Sequence, residues 1–311
     1  MQIVILDRAT LGFDIDVNIF SKFGNVTSYD STKENETAQR VKNADIVLTN
    51  KVVIGKSKIH GDANIKLICI TATGMNNVDL EYAKEKNIAV KNVAGYSTSS
   101  VVQVGFSMIL YFVQKLNYYK KYVDEGNWQK NELFTHIDEP FFELDKKRVG
   151  IIGLGEIGRN FAKKAKAFDC EVVYYSTSGK NSNSEYKSIS LEELLKTSDI
   201  ISIHAPLNEN TKNLLTYENM KNMKDGAILL NLGRGGIINE NDLAKLIDEK
   251  EIYCGIDVVS KEPIEESNPL LKVKNKDRLL LTPHIGWASI EARTRLVNMV
   301  AKNIEDFIDG K

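Results

Sequence analysis

The 311-residue sequence is poor in cysteine, in net charge and in long apolar runs. Its three cysteines, Cys69, Cys170 and Cys254, stand far apart with no CxxC pair. That spacing excludes a disulfide framework and a zinc site and reads as reduced, buried thiols. No pair of His or Cys falls at ligand spacing, so no metal is expected. Forty-one Lys+Arg against 42 Asp+Glu leave a net charge of −1, which excludes a strongly basic nucleic-acid binder and an acidic disordered tail. The most apolar stretch, residues 101–113, is too short to span a bilayer and is broken by Gln103, Gly105 and Ser107. The opening MQIVILDR lacks the basic start of a signal peptide. These features predict a soluble, cytoplasmic chain without a membrane partner.

What is present is ordinary globular material: 42% apolar and 27% charged residues. The length is twice the ~150 residues typical of one domain, so two domains are expected. Short β-branched runs alternate with amphipathic segments. Residues 3–6, 46–48, 67–71 and 88–90 read as strands, with helical patterns at 37–42 and 78–86 between them. Such alternation predicts βαβ units and parallel sheets covered on both faces. The turn-rich stretch Gly95–Ser100 offers N-cap hydroxyls to an apolar-periodic segment reaching about Tyr122. It predicts one helix of about 25 residues, roughly 37 Å long, crossing between domains. A polar loop follows to about Lys147. A second α/β series then begins, with strands at 149–152, 171–175, 200–203, 227–231, 253–258 and 279–281. Ser190, Thr216 and Asn239 stand at N-caps, and a last helix covers about 289–308. The fold class expected is α/β with two doubly wound parallel sheets. Residues 1–97 and 286–311 form the substrate domain, and residues 98–285 the dinucleotide-binding domain.

One loop carries a phosphate-binding pattern. Strand 149–152 runs into Gly153-Leu-Gly155-Glu156-Ile157-Gly158 and then an amphipathic helix to about Phe168. In GxGxxG the first glycine makes a tight turn, the second admits a pyrophosphate, and the third lets helix pack on strand. The anion sits on unpaired N–H groups at the helix start. The flanking strand, helix and following strand are all there, as the fingerprint requires. The acid that usually meets the ribose 2′-OH of NAD is missing. The second strand ends in Ser176-Thr177-Ser178-Gly179-Lys180, whose hydroxyls and lysine suit a 2′-phosphate as well, so NAD and NADP both stay open.

Three further segments bring polar groups to strand ends, where open α/β sheets bind ligands. Leu230–Gly236 sets Arg234 among glycines, and its planar fork suits a carboxylate. The second segment, 255–263, holds Asp257 and Glu262. The third, 279–287, holds His284, and a carboxylate beside that imidazole would favour its charged form. Of the other histidines, His60 lies in a polar turn and His136 in the mid-chain loop. His204, in Ile203-His204-Ala205-Pro206, ends a strand of the second series and reads equally as structural or as lining the nicotinamide side.

In these residues the chain resembles the D-isomer-specific 2-hydroxyacid dehydrogenase family, along nearly its whole length. The matching pieces are Ala72-Thr-Gly-Met-Asn-Asn-Val-Asp79, GLGEIG at 153–158, NLGRGG at 231–236, the Asp257 to Glu262-Pro263 segment, and Thr282-Pro-His-Ile-Gly286. Asn92-Val-Ala-Gly-Tyr-Ser-Thr98, Tyr174-Tyr-Ser-Thr-Ser-Gly-Lys180 and Trp287, where many relatives carry glycine, resemble the glycerate dehydrogenase (hydroxypyruvate reductase) branch. The resemblance implies a flavodoxin-like substrate domain, a Rossmann cofactor domain and a homodimer formed through the latter. It implies an NAD(P)-dependent reduction of a small 2-keto acid, hydroxypyruvate or glyoxylate, with NAD the family's usual cofactor. His284 would be the acid/base, Glu262 its charge partner and Arg234 the carboxylate ligand. Lys51, the backbone of Thr73, Gly74 and Met75, and Trp287 would contact substrate. The cofactor would meet Gly153, Gly155, Glu156, Ile157, Gly158, Ser176, Thr177, His204, Ala205, Pro206, Asp257 and His284, with Asp257 also tuning the catalytic pair from below. A protein on the same fold that senses NADH with little turnover is the alternative, and activity with hydroxypyruvate separates the two.

Overall fold

The computed structural model describes residues 1–59, 64–179 and 185–311; His60 and Lys180 lie outside the described residues. The chain falls into two compact units, Met1–Ser97 with Trp287–Lys311, and Thr98–Gly286.

The first unit holds strands β1 (Gln2–Ile5), β2 (Asn25–Ser28), β3 (Ile46–Thr49), β4 (Leu67–Ile70) and β5 (Ala89–Lys91), with helices α1 (Thr37–Val41) and α2 (Leu80–Glu85). The sheet order is β2-β1-β3-β4-β5, every pair parallel. Successive strand side chains point to opposite faces, and the core follows that alternation. Ile3, Ile5, Ile46, Leu48, Leu67 and Cys69 pack on one side, while Val4, Leu6, Val47, Ile68 and Ile70 pack on the other. Burial on both faces explains why these strands read as unbroken apolar runs. The edge strand β2, NVTS, is half exposed and has no such run, so the sequence did not reveal it.

The second unit comprises α3 (Thr98–Gln114), α4 (Leu116–Asp124), β6 (Arg148–Ile152), α5 (Glu156–Ala167), β7 (Glu171–Tyr175), β8 (Lys187–Ser188), α6 (Leu191–Thr197), β9 (Ile200–Ile203), α7 (Tyr217–Met220), β10 (Ala227–Asn231), α8 (Glu240–Glu249), β11 (Ile252–Ile256) and β12 (Leu279–Leu281). Its sheet runs β12-β11-β10-β9-β6-β7-β8, again all parallel. Taken from β6 as the first strand, this is the Rossmann order with one strand added at the β12 edge, and direction reverses between β6 and β9. Helix α9 (Ile290–Ile308) returns to the first unit. Ser289 caps it by accepting from Ala292 N, and Leu296, Val300 and Ile304 repeat every four residues onto the β1–β3–β4 face.

The segment after residue 98 differs from the single crossing helix expected. α3 ends at Gln114, Lys115 adopts φ 52° in the left-handed region, and α4 starts afresh at Leu116. Lys115 pairs with Glu139 at 3.6 Å, and its ammonium lies 5.1 Å from the Tyr253 ring centroid. These contacts offset a backbone conformation that costs a non-glycine residue roughly 1 kcal/mol or more. α3 belongs entirely to the second unit and buries Val102, Phe106, Ile109 and Val113 there.

No helix among the described residues is long and apolar enough to cross a membrane. The three thiols are unpaired with each other and buried. Burial pushes Cys69 up to about 12 and Cys170 to about 11, and raises Cys254 as well.

Candidate active site

Five neighbouring strands of the second unit end in the polar segments singled out above. In sheet order they are β12 (His284), β11 (Asp257 and Glu262), β10 (Arg234), β9 (His204) and β6 (the glycine loop). Parallel strands lie about 4.8 Å apart, so these tips form one rim roughly 19 Å long. The strand order reverses in this rim, between β6 and β9, which is where doubly wound sheets hold ligands.

The glycine loop has the shape a dinucleotide needs. Gly153 takes φ 92°, and a Cβ on Gly158 would stand 2.3 Å from Gly153 O, so helix α5 packs directly on the turn. A Cβ on Gly155 would meet nothing within 4 Å. The backbone there borders open space at the start of α5, whose first N–H groups have no partner inside the helix. Two orphaned polar atoms lie on the neighbouring tips: the buried Ser176 Oγ after β7 and the buried His204 Nδ1 after β9. A buried polar atom without a partner costs about 1–3 kcal/mol, which a polar ligand relieves. These residues fit a nicotinamide dinucleotide.

His204 keeps some surface as a residue, but its ring is enclosed. Nε2 lies 2.9 Å from Ser202 Oγ, and the ring packs 4.9 Å from that of Phe161. Burial pushes its pKa down to about 3, so the imidazole is neutral near pH 7 and serves as a hydrogen-bonding group, not a cation. Ala205 lies against Gly153, whose added Cβ would be 2.8 Å from Ala205 N. Thr211 Oγ1 donates to Pro206 O at 2.7 Å and holds that strand exit. The Glu156 carboxylate accepts from Thr98 Oγ1 at 2.7 Å, so its backbone N–H, like that of Ile157, is what this residue offers at the helix start.

At the opposite end of the rim, His284 Nδ1 lies 2.7 Å from Glu262 Oε2. Both side chains are about one-third exposed. His284 takes φ 54°, and the surrounding hydrogen bonds explain how a histidine is kept there. Its N–H donates to Asp257 O at 2.9 Å. The buried Asp257 carboxylate accepts from Thr282 Oγ1 (2.6 Å), Ile285 N (2.9 Å) and Gly286 N (2.8 Å), gripping both sides of the turn. The carboxylate expected to meet the cofactor is thus engaged by the histidine loop. With Nδ1 on Glu262, Nε2 is the nitrogen left to exchange a proton.

Arg234 is exposed at the β10 tip and donates from Nη1 to Gly233 O. Buried Asn231 shapes its turn: Oδ1 accepts from Gly233 N (3.1 Å), and Nδ2 donates to Arg234 O (2.9 Å).

The remaining candidates lie in the first unit. Lys51 is exposed in the loop after β3, and its N–H donates to Asp7 Oδ2 at 2.7 Å. Buried Asp7 also accepts from Asn50 N (2.9 Å) and Val52 N (3.3 Å). After β4, Thr73 Oγ1 donates to Val93 O (2.9 Å) and Thr73 O accepts from Asn92 Nδ2 (2.6 Å). Met75 O accepts from Val78 N, closing the turn that follows Gly74. Trp287 packs edge-on against Tyr96 at 6.4 Å between centroids and lies against the α9 core. Asp7 and Asn231 escaped notice as loop-shaping groups, and Thr98 as the donor to Glu156. For Asp7 a signal existed, an acid directly after a fully apolar strand.

Comparison with known proteins agrees with this architecture. The NAD binding domain of the D-isomer specific 2-hydroxyacid dehydrogenases matches residues 106–286. The chain is 38% identical to a hydroxypyruvate reductase of Blautia hydrogenotrophica, covering 100% of this chain and 98% of that one. Two solved structures superpose over all of it. One is D-lactate dehydrogenase from Aquifex aeolicus complexed with NAD and lactic acid (TM-score 0.82, 25% identity, 96% of that chain). The other is an acyclic imino acid reductase in complex with NADPH and D-Arg (TM-score 0.85, 28% identity, 98% of that chain). The chain belongs to the D-isomer specific 2-hydroxyacid dehydrogenase family. It is an oxidoreductase of that family with an NAD(P)-binding domain.

Proposed function

We propose that the protein reduces a small 2-keto acid, hydroxypyruvate or glyoxylate, with His284 as the acid/base. The observation that carries this reading is the 2.7 Å contact between His284 Nδ1 and Glu262 Oε2 on the ligand-binding rim of a Rossmann sheet. Reduced NAD(P)H, when held by these residues, would supply the hydride to the keto carbon. The chain does the rest. Arg234 binds the substrate carboxylate and stabilises charge growing on the keto oxygen, the role a fixed guanidinium performs best. His284 Nε2 donates the proton to that oxygen. Glu262 pairs with the charged ring and fixes which nitrogen faces the substrate, while Asp257 fixes the turn. Gly153, Gly155, Gly158 and the N–H groups of Glu156 and Ile157 hold the pyrophosphate. Ser176 and Thr177 face the ribose edge, and His204, Ala205 and Pro206 face the nicotinamide side. Lys51, Thr73, Gly74, Met75 and Trp287 receive substrate contacts on the family resemblance alone.

The absence of an acid at 176–179 and the orphaned Ser176 Oγ support acceptance of both NADH and NADPH, with NADH favoured by the family. For a partner, the reading is a second copy of this chain seated on α4 and the loop after it. Leu116, Leu133, Phe134 and Ile137 are each more than 60% exposed there, an apolar patch of the kind that marks an association surface. The buried thiols support a cytoplasmic setting.

Initial rates with hydroxypyruvate and glyoxylate, each against NADH and NADPH, test substrate and cofactor together. Turnover with either acid at ordinary enzyme rates is expected. Tight NADH binding with negligible turnover of both acids would replace this reading with that of a sensor. Light scattering on the protein and on Phe134→Glu tests the dimer, which the substitution should split into monomers.

A further inference from the structure

Glu240 is the first residue of α8, behind the N-cap Asn239, whose side chain accepts from Asp242 N. Its carboxylate spans two points of another loop. It accepts from Ser260 N at 2.5 Å and Ser260 Oγ at 3.0 Å, and from Asn268 Nδ2 at 2.7 Å. Asn268 is buried, and its Oδ1 accepts from Leu270 N, so it is a fixed post. Every residue from 260 to 267 is exposed. That stretch has no apolar core of its own, and both of its ends are tied to one carboxylate.

Glu262 stands inside the tied stretch, with Oε1 accepting from Val259 N at 3.3 Å and Oε2 on His284. The other charged groups of the stretch face each other or solvent: Lys261 pairs with Glu265, and Glu266 is exposed. From the β10 side, a Cβ on Gly235 would fall 2.0 Å from the Val259 carbonyl, so the Arg234 turn packs on the same stretch. Ordering an exposed segment costs conformational entropy at every residue. Hydrogen bonds to a carboxylate are roughly twice as strong as neutral ones, and here three of them act at the two ends.

We propose that Glu240 is a positioning residue. By fixing Ser260 and Asn268 to the first turn of α8, it holds Glu262 against His284 Nδ1. This rests on the assignment of His284 and Glu262 as the acid/base pair.

The test compares Glu240→Ala, Glu262→Gln and the double variant, in kcat for keto-acid reduction and in the NMR pH titration of the His284 ring. Glu240→Ala should lower kcat about tenfold, with the KM of the keto acid and the Kd of NADH held within about twofold. Its His284 titration midpoint should move the same way as in Glu262→Gln. The double variant should be no slower than Glu262→Gln alone, because coupled residues are not additive. Glu240→Gln keeps the volume and serves if Glu240→Ala folds poorly; it should show a smaller shift of the same sign. Ser260→Ala, which removes only the hydroxyl contact, should stay within about twofold of the parent. Multiplying losses in the double variant, or a lowered Tm with kcat and the His284 titration unchanged, would reduce Glu240 to a structural residue. Should the parent turn over no keto acid, the proposed activity fails, and the titration alone still decides whether Glu240 controls the pair.

Discussion

Both units use the same device at the end of a strand, and they use it for different ends. In the first, Asp7 follows β1 and takes the N–H groups of Asn50, Lys51 and Val52 from the loop of the adjoining strand β3. In the second, Asp257 follows β11 and takes Ile285 N and Gly286 N from the loop of the adjoining strand β12. Each is a buried carboxylate satisfied by a neighbouring loop, which is how a buried charge becomes tolerable. The Asp7 loop presents a single exposed lysine. The Asp257 loop presents a histidine in the left-handed region, already paired with a carboxylate. On the proposed function, the Lys51 loop offers charge for binding and the His284 loop a placed proton, so a change at Lys51 should show in KM and a change at His284 in kcat.

The sharpest test of that division is His284→Ala. Losing a positioned general acid costs about 10²–10⁴-fold, so kcat should fall by that much with the Kd of NADH unchanged in fluorescence titration. The paired aspartates come next. Asp257→Ala and Asp7→Ala each leave several buried donors unmatched, at about 1–3 kcal/mol apiece, so denaturant unfolding should show losses of about 3 kcal/mol for both. Only Asp257→Ala should also depress kcat tenfold or more; equal kcat losses would break the comparison.

A smaller effect belongs to His204, a feature of the second unit alone. Its folded pKa of about 3 lies below the ordinary value of 6.5, so the unfolded chain binds the proton first. Stability from this group is complete above pH 6.5 and declines as pH falls from there toward 3. Between pH 7.5 and 5 the loss is about 2 kcal/mol, and unfolding of His204→Asn at the two pH values should show a visibly flatter dependence. Smallest is Lys51→Ala, expected to raise the KM of the keto acid a few-fold, roughly 1 kcal/mol of an exposed charge contact, with kcat nearly intact.

Much of this was legible beforehand because the strands are buried on both faces and announce themselves as apolar runs. The parallel sheets, the glycine loop, and the residues at the tips of β10, β11 and β12 followed from pattern and family resemblance. Two things did not. β2 and β8 are polar edge strands whose identity comes from pairing with a neighbour, as in Gln2 against Asn25 and Val173 against Lys187. The break at Lys115 depends on Glu139 and Tyr253, far off in sequence, while the residues around it keep helical periodicity. The clamps were hidden for a related reason. An aspartate, asparagine or glutamate accepting backbone N–H groups looks like any other polar residue until the loops it ties together are known.

The rim also separates two kinds of adaptation. Counting across β12-β11-β10-β9-β6-β7, the His284–Glu262 pair and the tip at Ser176 stand at opposite flanks, five strand spacings or roughly 24 Å apart. Each tip hangs on its own loop. On the proposed function, changes at 176–179 would therefore retune which dinucleotide is preferred without touching the turn that carries His284, and the two traits would be free to evolve, or to be engineered, one at a time.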